Sequence, residues 1–160
     1  MSLLYLNGNK LSDHFTAGEF NMDRSTKAYL TKDSIVFVVC IEEFRKWFGR
    51  PMYVTSWFRS PEVNKACGGI STSNHLRGCA MDWNDGQKVT TTRFIAWSKK
   101  WAEICKKHGV RGESGLYTWG YHFGIQNSSQ LMAYGGKYVH WDSRKDGVQL
   151  MNPFAALRSL

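Results

Sequence analysis

The spacing of apolar and polar positions divides the chain into a few strong elements. Over residues 33–48, Ile35, Val38, Val39, Phe44, Trp47 and Phe48 form a wide apolar stripe, and the spacing within EEFRKWFG favours helix over strand. Asp33 or Ser34 can cap its start, and Gly49 followed by Pro51 ends it. Residues 52–58 are short and rich in β-formers, which predicts a strand. Arg59-Ser60-Pro61 breaks that strand and opens a short helix to Cys67, which Gly68 and Gly69 stop. A polar loop then leads to HLRGCAMDW, whose second half alternates like a strand. Residues 90–107 form the second long helix, with Phe94, Trp97, Trp101, Ile104 and Cys105 on one face and Gly109 at its end. Residues 109–126 predict a β-hairpin turning at Thr118-Trp119-Gly120, and a second hairpin is expected over residues 133–142. The first thirty residues are mixed and polar around Phe15 and Phe20, and predict a short arm or helix laid on the rest. This order of elements predicts an α+β fold with a small, mostly antiparallel sheet packed with helices.

Composition narrows the picture. The 160 residues match one domain, in which residues 1–32 are an N-terminal arm and residues 127–160 a C-terminal extension. Hydrophobic residues at 42% and charged residues at 21% exclude a disordered or fibrous chain. The formal net charge of +8 favours an anionic polymer, whether nucleic acid, acidic cell wall or membrane head groups. No helix-turn-helix, RNP-like or zinc-finger pattern accompanies the charge, so nucleic acid is not the expected partner. No stretch approaches the roughly 20 apolar residues of a membrane span. The start lacks the basic and apolar regions of a secretory signal. The expectation is therefore a monomer made in the cytoplasm, without membrane insertion. Cys40, Cys67, Cys79 and Cys105 form no C-x-x-C pair and read as buried small hydrophobes in a reducing compartment.

Chemistry concentrates around one histidine. His108 ends a predicted helix, where an imidazole complements the helix dipole, and His14 lies in the arm; both read as structural. His75 differs, because Asp82 follows at His-x6-Asp spacing across a short strand, with the small residues Gly78 and Ala80 between them. An imidazole and a carboxylate so placed supply two of the three protein ligands of a catalytic zinc site.

The wider context carries a resemblance. Ser56-Trp57-Phe58-Arg59-Ser60-Pro61-Glu62-Val63-Asn64, then a Gly-rich turn, then Ser73-Asn74-His75-Leu76-Arg77-Gly78-Cys79-Ala80-Met81-Asp82 resembles the signature of the M15 family of zinc peptidases. That signature reads S-G-Y-R-S-P-x-x-N followed by S-x-H-x-x-G-x-A-x-D. The second part is met at every fixed position, while Trp57 replaces the usual Gly and Phe58 the usual aromatic. LSDHFTAGEF near the N-terminus is similar to the opening of small phage and bacterial members, and the resemblance covers about residues 11–126.

The resemblance implies a hedgehog/D-Ala-D-Ala-peptidase-like fold that cleaves peptidoglycan stems as a carboxypeptidase or endopeptidase, with Zn2+ as cofactor and a peptidoglycan peptide as partner. It implies His75 and Asp82 as the first two ligands, Arg59 as the group that binds a substrate carboxylate, and Ser73 as a residue that hydrogen-bonds substrate or orients His75. His122 is favoured as the third ligand, since its hairpin directly follows the second long helix. His140, in Tyr-Val-His-Trp-Asp, is the alternative, and otherwise reads as a surface or supporting histidine. Many members place an acid three residues before the last histidine, where this chain has Trp119 or Lys137. Small phage-like members have His-x-Asp, which His140 meets with Asp142 and His122 does not, having Gly124. Glu113 and Asp142 are thus the candidates for general base. The alternative reading is an inactive, zinc-containing wall-binding domain. An enzyme of this kind without a signal peptide implies release by lysis or carriage in a virion.

Overall fold

A computed structural model describes residues 9–160. In chain order the elements are α1 (Ala17–Phe20), α2 (Lys32–Phe48), β1 (Tyr53–Ser56), α3 (Pro61–Ala66), a 3-10 turn (Asn74–Arg77), β2 (Ala80–Asn84), α4 (Thr91–Lys107), β3 (Gly112–Leu116), β4 (Tyr121–Ile125), α5 (Ser128–Ala133), β5 (Val139–Asp142) and β6 (Leu150–Met151). A further 3-10 turn, Ala155–Leu157, follows. The strands form one sheet in the order β1-β2-β4-β3-β5-β6, antiparallel throughout except where β5 runs parallel to β3. The fold is α+β, as the order of elements predicts.

Local chemistry sets the helix ends. Thr31, rather than Asp33 or Ser34, caps α2; its side chain accepts from the Ser34 amide, and the Ser34 hydroxyl bonds back to the Thr31 amide. The buried face of α2 is Phe37, Val38, Cys40, Ile41 and Phe44. Ile35, Val39 and Trp47 of the predicted stripe are half-exposed. One packed layer covers a stripe of limited width, and Ile35 and Val39 fall on the flank that borders a groove beside the arm. Thr90 caps α4, whose Phe94, Trp97, Trp101, Ile104 and Cys105 are buried as predicted.

The core is aromatic. Phe44 of α2 meets Phe123 of β4 edge-on at 4.9 Å, and Trp101 of α4 stacks on Phe123 at 5.0 Å. The two long helices thereby cover one face of the sheet and leave the other for chemistry. Cys40, Cys79 and Cys105 are buried in this interior, but Cys67 is exposed where α3 ends, so the expectation of four buried thiols fails at that one. Among the described residues, no helix is long and apolar enough to cross a membrane.

The expected second hairpin is absent. Asn127 caps α5 instead, and Gly135 and Gly136 end that helix, with the Gly136 amide returning to the Leu131 carbonyl. The chain then enters β5 parallel to β3, a pairing that needs a crossover rather than a tight turn.

The arm packs through Phe15 and Phe20, which meet the Trp57 ring at 5.4 and 5.5 Å. A polar tether holds it as well. The Glu42 carboxylate accepts from the Ser12 hydroxyl (2.6 Å) and the His14 amide (3.1 Å), with the His14 ring 2.6 Å away. Burial opposes the charged form of Glu42, but the bonds from Ser12 and His14 outweigh it and hold its pKa below the ordinary 4.5. A depressed carboxylate pKa contributes stability above the unfolded value and loses it as pH falls through the folded one. Wild type is therefore expected to be more stable than Glu42→Gln near neutral pH, with the gap closing on acidification, as read by denaturant unfolding across pH.

Candidate metal centre

The site begins at a turn. Ser73 caps the 3-10 turn by accepting from the His75 amide (3.3 Å), and Gly78 ends it at φ +65°. A Cβ at Gly78 would lie 2.5 Å from the Phe20 ring, so glycine is required there twice over. Trp57 grips this turn on both sides. Its indole donates to the Gly78 carbonyl (3.1 Å), and its carbonyl accepts from His75 Nδ1 (2.6 Å). The indole of Trp57 thus holds the turn in place where the family signature has Gly. Because a carbonyl can only accept, His75 Nδ1 donates this bond, and Nε2 is the ring nitrogen turned toward Asp82.

Strand register supplies the rest. Asp82 on β2 sits opposite His122 on β4, while Gly115 and Glu113 on β3 face His122 and Gly124. By the two-residue period, Asp82, His122 and Glu113 share the sheet face away from the long helices. Asp82 Oδ1 lies 3.2 Å from His75 Nε2 and 2.8 Å from His122 Nδ1. Ligand atoms of His75, Asp82 and His122 all fall within 4.8 Å of one another, and all three residues are buried. On its far side, His122 Nε2 lies 3.0 Å from Glu113 Oε1.

The electrostatics call for positive charge at this point. Burial resists ionisation of Asp82, yet His75 and His122 hold it well below the usual carboxylate range. Burial likewise resists ionisation of Glu113, and His122 with Asn74 more than offsets it. The His122 ring is disfavoured as a cation by burial, but its two carboxylate neighbours win and raise it to about 9. Two imidazoles and a carboxylate match the donor set of a three-ligand catalytic zinc site. Each ring's other nitrogen is held by an oxygen acceptor, as ligand histidines require. The residues therefore fit such an ion.

The remaining candidates divide. Arg59 lies in the pocket, but its NH2 donates to Asp82 Oδ2 (2.6 Å) and its Nε to the Ser56 hydroxyl (2.8 Å). The structure pairs it with the clustered carboxylate. Ser73 lines the same pocket of about 460 Å3. Glu113 stands at the centre. Asp142 does not come to the site. It ends β5, where Arg144 closes a fork on it through Nε (2.9 Å) and NH2 (2.7 Å). His140 is neither a surface residue nor a support for the cluster. It is fully buried on β5, next to Tyr138 and Phe154, with both ring nitrogens unpartnered. Burial and then the charge of Arg158 push its pKa down to about 4, which keeps this core ring neutral. His14 and His108 are structural, each bonded to a glutamate of α2.

Sequence reasoning missed Asn74, Gln130 and Trp141. Asn74 Nδ2 donates to Glu113 Oε1 (2.8 Å), Gln130 Nε2 contacts Glu113 Oε2 (3.3 Å), and Trp141 lies against His122 at 4.9 Å between ring centres. Only Gln130 left a signal, since Asn127-Ser-Ser-Gln130 is a capping-box pattern that marks a helix start in place of a hairpin.

Two imidazoles and a carboxylate gathered in a pocket, with a second carboxylate bonded to one imidazole, define the site of a metallopeptidase-type hydrolase. Residues 10–121 match the profile of the Peptidase M15 family, and the chain belongs to that family, whose members are zinc-dependent peptidases. Comparison with curated proteins gives no match. The family match ends one residue before His122, so the third clustered residue and all of α5 and β5 lie beyond it.

Gly124 tests the packing. A Cβ there would stand 2.5 Å from Glu113 Oε1, so Gly124→Ala must displace the carboxylate. Gly→Ala within an unstrained strand is ordinarily neutral or stabilising. Here a loss of about 1–3 kcal/mol is expected from overpacking, measured by denaturant unfolding.

Proposed function

We propose that the protein is a zinc peptidase that hydrolyses peptide bonds in bacterial peptidoglycan stems. The observation that carries this reading is the meeting of His75 Nε2, Asp82 Oδ1 and His122 Nδ1, with the Glu113 carboxylate beside them in an open pocket. Zinc held by these three side chains would supply Lewis-acid activation of a water and of the scissile carbonyl. The protein groups act separately. Arg59 holds Asp82 Oδ2 and leaves Oδ1 to face the two imidazoles. Glu113 Oε1 is engaged by Asn74 and His122, which leaves Oε2 to take the proton of the attacking water and return it to the leaving amine.

Surroundings suit an extended peptide in an anionic polymer. Tyr117 and Trp119 stack at 4.9 Å at the pocket, and Trp119, Tyr134, Ile70 and Met151 expose apolar surface around it. The net charge of +8 favours approach to an acidic wall.

Zinc content and muropeptide release test the reading together. Wild type is expected to carry zinc and release product, and His75→Ala to lose both; equal release by the two proteins would overturn it. Glu113→Gln should retain the metal and lose about 100-fold or more in kcat. Zinc-loaded wild type that binds cell wall without releasing product would instead mark a wall-binding module.

A further inference from the structure

We propose that Gln130 and Asn74 form an amide clamp that positions the Glu113 carboxylate, so that α5 is a working part of the active centre. The proposal rests on Glu113 acting as the proton acceptor. The geometry fixes the polarity of the clamp step by step. Arg77 is held by Asp33 through NH1 (2.8 Å), and its NH2 donates to Asn74 Oδ1 (2.8 Å). A guanidinium only donates, so Asn74 turns Nδ2 the other way, toward Glu113 Oε1 (2.8 Å) and Gln130 Oε1 (2.8 Å). Gln130 Oε1 also accepts from the Asn127 amide (2.9 Å). With its oxygen so engaged, Gln130 can offer Glu113 Oε2 only its Nε2 donor (3.3 Å).

The carboxylate therefore meets donors alone, with Asn74 and His122 on Oε1 and Gln130 on Oε2. Oε1 receives two short bonds and Oε2 one long one. That asymmetry immobilises the group about Oε1 while leaving Oε2 available to a proton. Gly124 completes the seat, since its missing side chain is the space Glu113 Oε1 occupies. Glu113 reaches this place from β3, across the ladder from Gly124.

Gln130 has two separable jobs, capping α5 through Oε1 and orienting Glu113 through Nε2. Gln130→Glu separates them, because a glutamate still accepts from the Asn127 amide but presents an oxygen to Glu113. Gln130→Met removes both functions, and Met132→Ala, on the exposed side of α5, serves as the control. For Gln130→Glu we expect a melting temperature that stays well above the assay temperature, an unchanged KM and a kcat lower by about 10- to 100-fold. A wild-type kcat in Gln130→Glu overturns the clamp, and if Gln130→Met alone loses activity the role is capping only. A second measurement is independent of turnover. In labelled protein, the side-chain amide resonances of Asn74 and Gln130 should both shift in Glu113→Gln and stay in place in Met132→Ala. Unmoved resonances overturn the clamp. If wild type releases no product, the peptidase reading falls, and the amide resonances decide the clamp on their own.

Discussion

A buried anion organises this molecule. Asp82 is enclosed on β2, and its two oxygens are used differently. Oδ2 is closed by Arg59, while Oδ1 faces His75 and His122. A buried charge is tolerated only when paired and hydrogen-bonded, so three elements are obliged to converge on it. The turn after α3 must bring His75, β4 must lie beside β2 with His122 in register, and the chain leaving β1 must return Arg59. The aromatic packing on the opposite face, with Trp101 flat on Phe123, holds β4 against that electrostatic pull. Cation demand and strand register are thus one constraint seen from two sides.

The position of the Glu113 carboxylate follows from the same register. In the small phage-like signature the carboxylate lies two residues beyond the last histidine, on its own strand. Here Gly124 holds that place, and the cross-strand neighbour Glu113 fills the volume it vacates. A carboxylate can thus reach one point in space from either of two adjacent strands, provided the other contributes no side chain.

What is legible in the chain is local or carried by the motif. The periodicity of Phe94, Trp97, Trp101 and Ile104 is enough for α4, and the hairpin of β3 and β4 follows from short β-rich runs around a glycine turn. His75 and Asp82 stand out through their signature. The failures share a cause, which is dependence on distant partners. Val139–Asp142 looks like half a hairpin until β3 is known to be its neighbour. His140 looks accessible until Phe154 covers it. Arg59 reads as a fork for a substrate carboxylate, and only the fold shows that its NH2 also pairs with Asp82, 23 residues on. Asp142 is the exception, since Arg144 is only two residues away and that local pairing is visible in the chain. Preferring Glu113 to Asp142 requires the sheet itself: the predicted hairpin puts Glu113 on the strand opposite His122, but only the register, with Glu113 across from Gly124, brings its carboxylate to the ring.

The parallel placement of β5 bears on where this domain stops. β3 carries Glu113, and its outer edge is paired with β5 from Glu113 to Leu116. A chain shortened to the end of β4, at Ile125, would strip that partner away and turn an interior strand into an open edge. Its unpaired amides and carbonyls would then be a template for neighbouring chains. By pairing with β3, β5 keeps the strand that bears Glu113 from becoming an adhesive one.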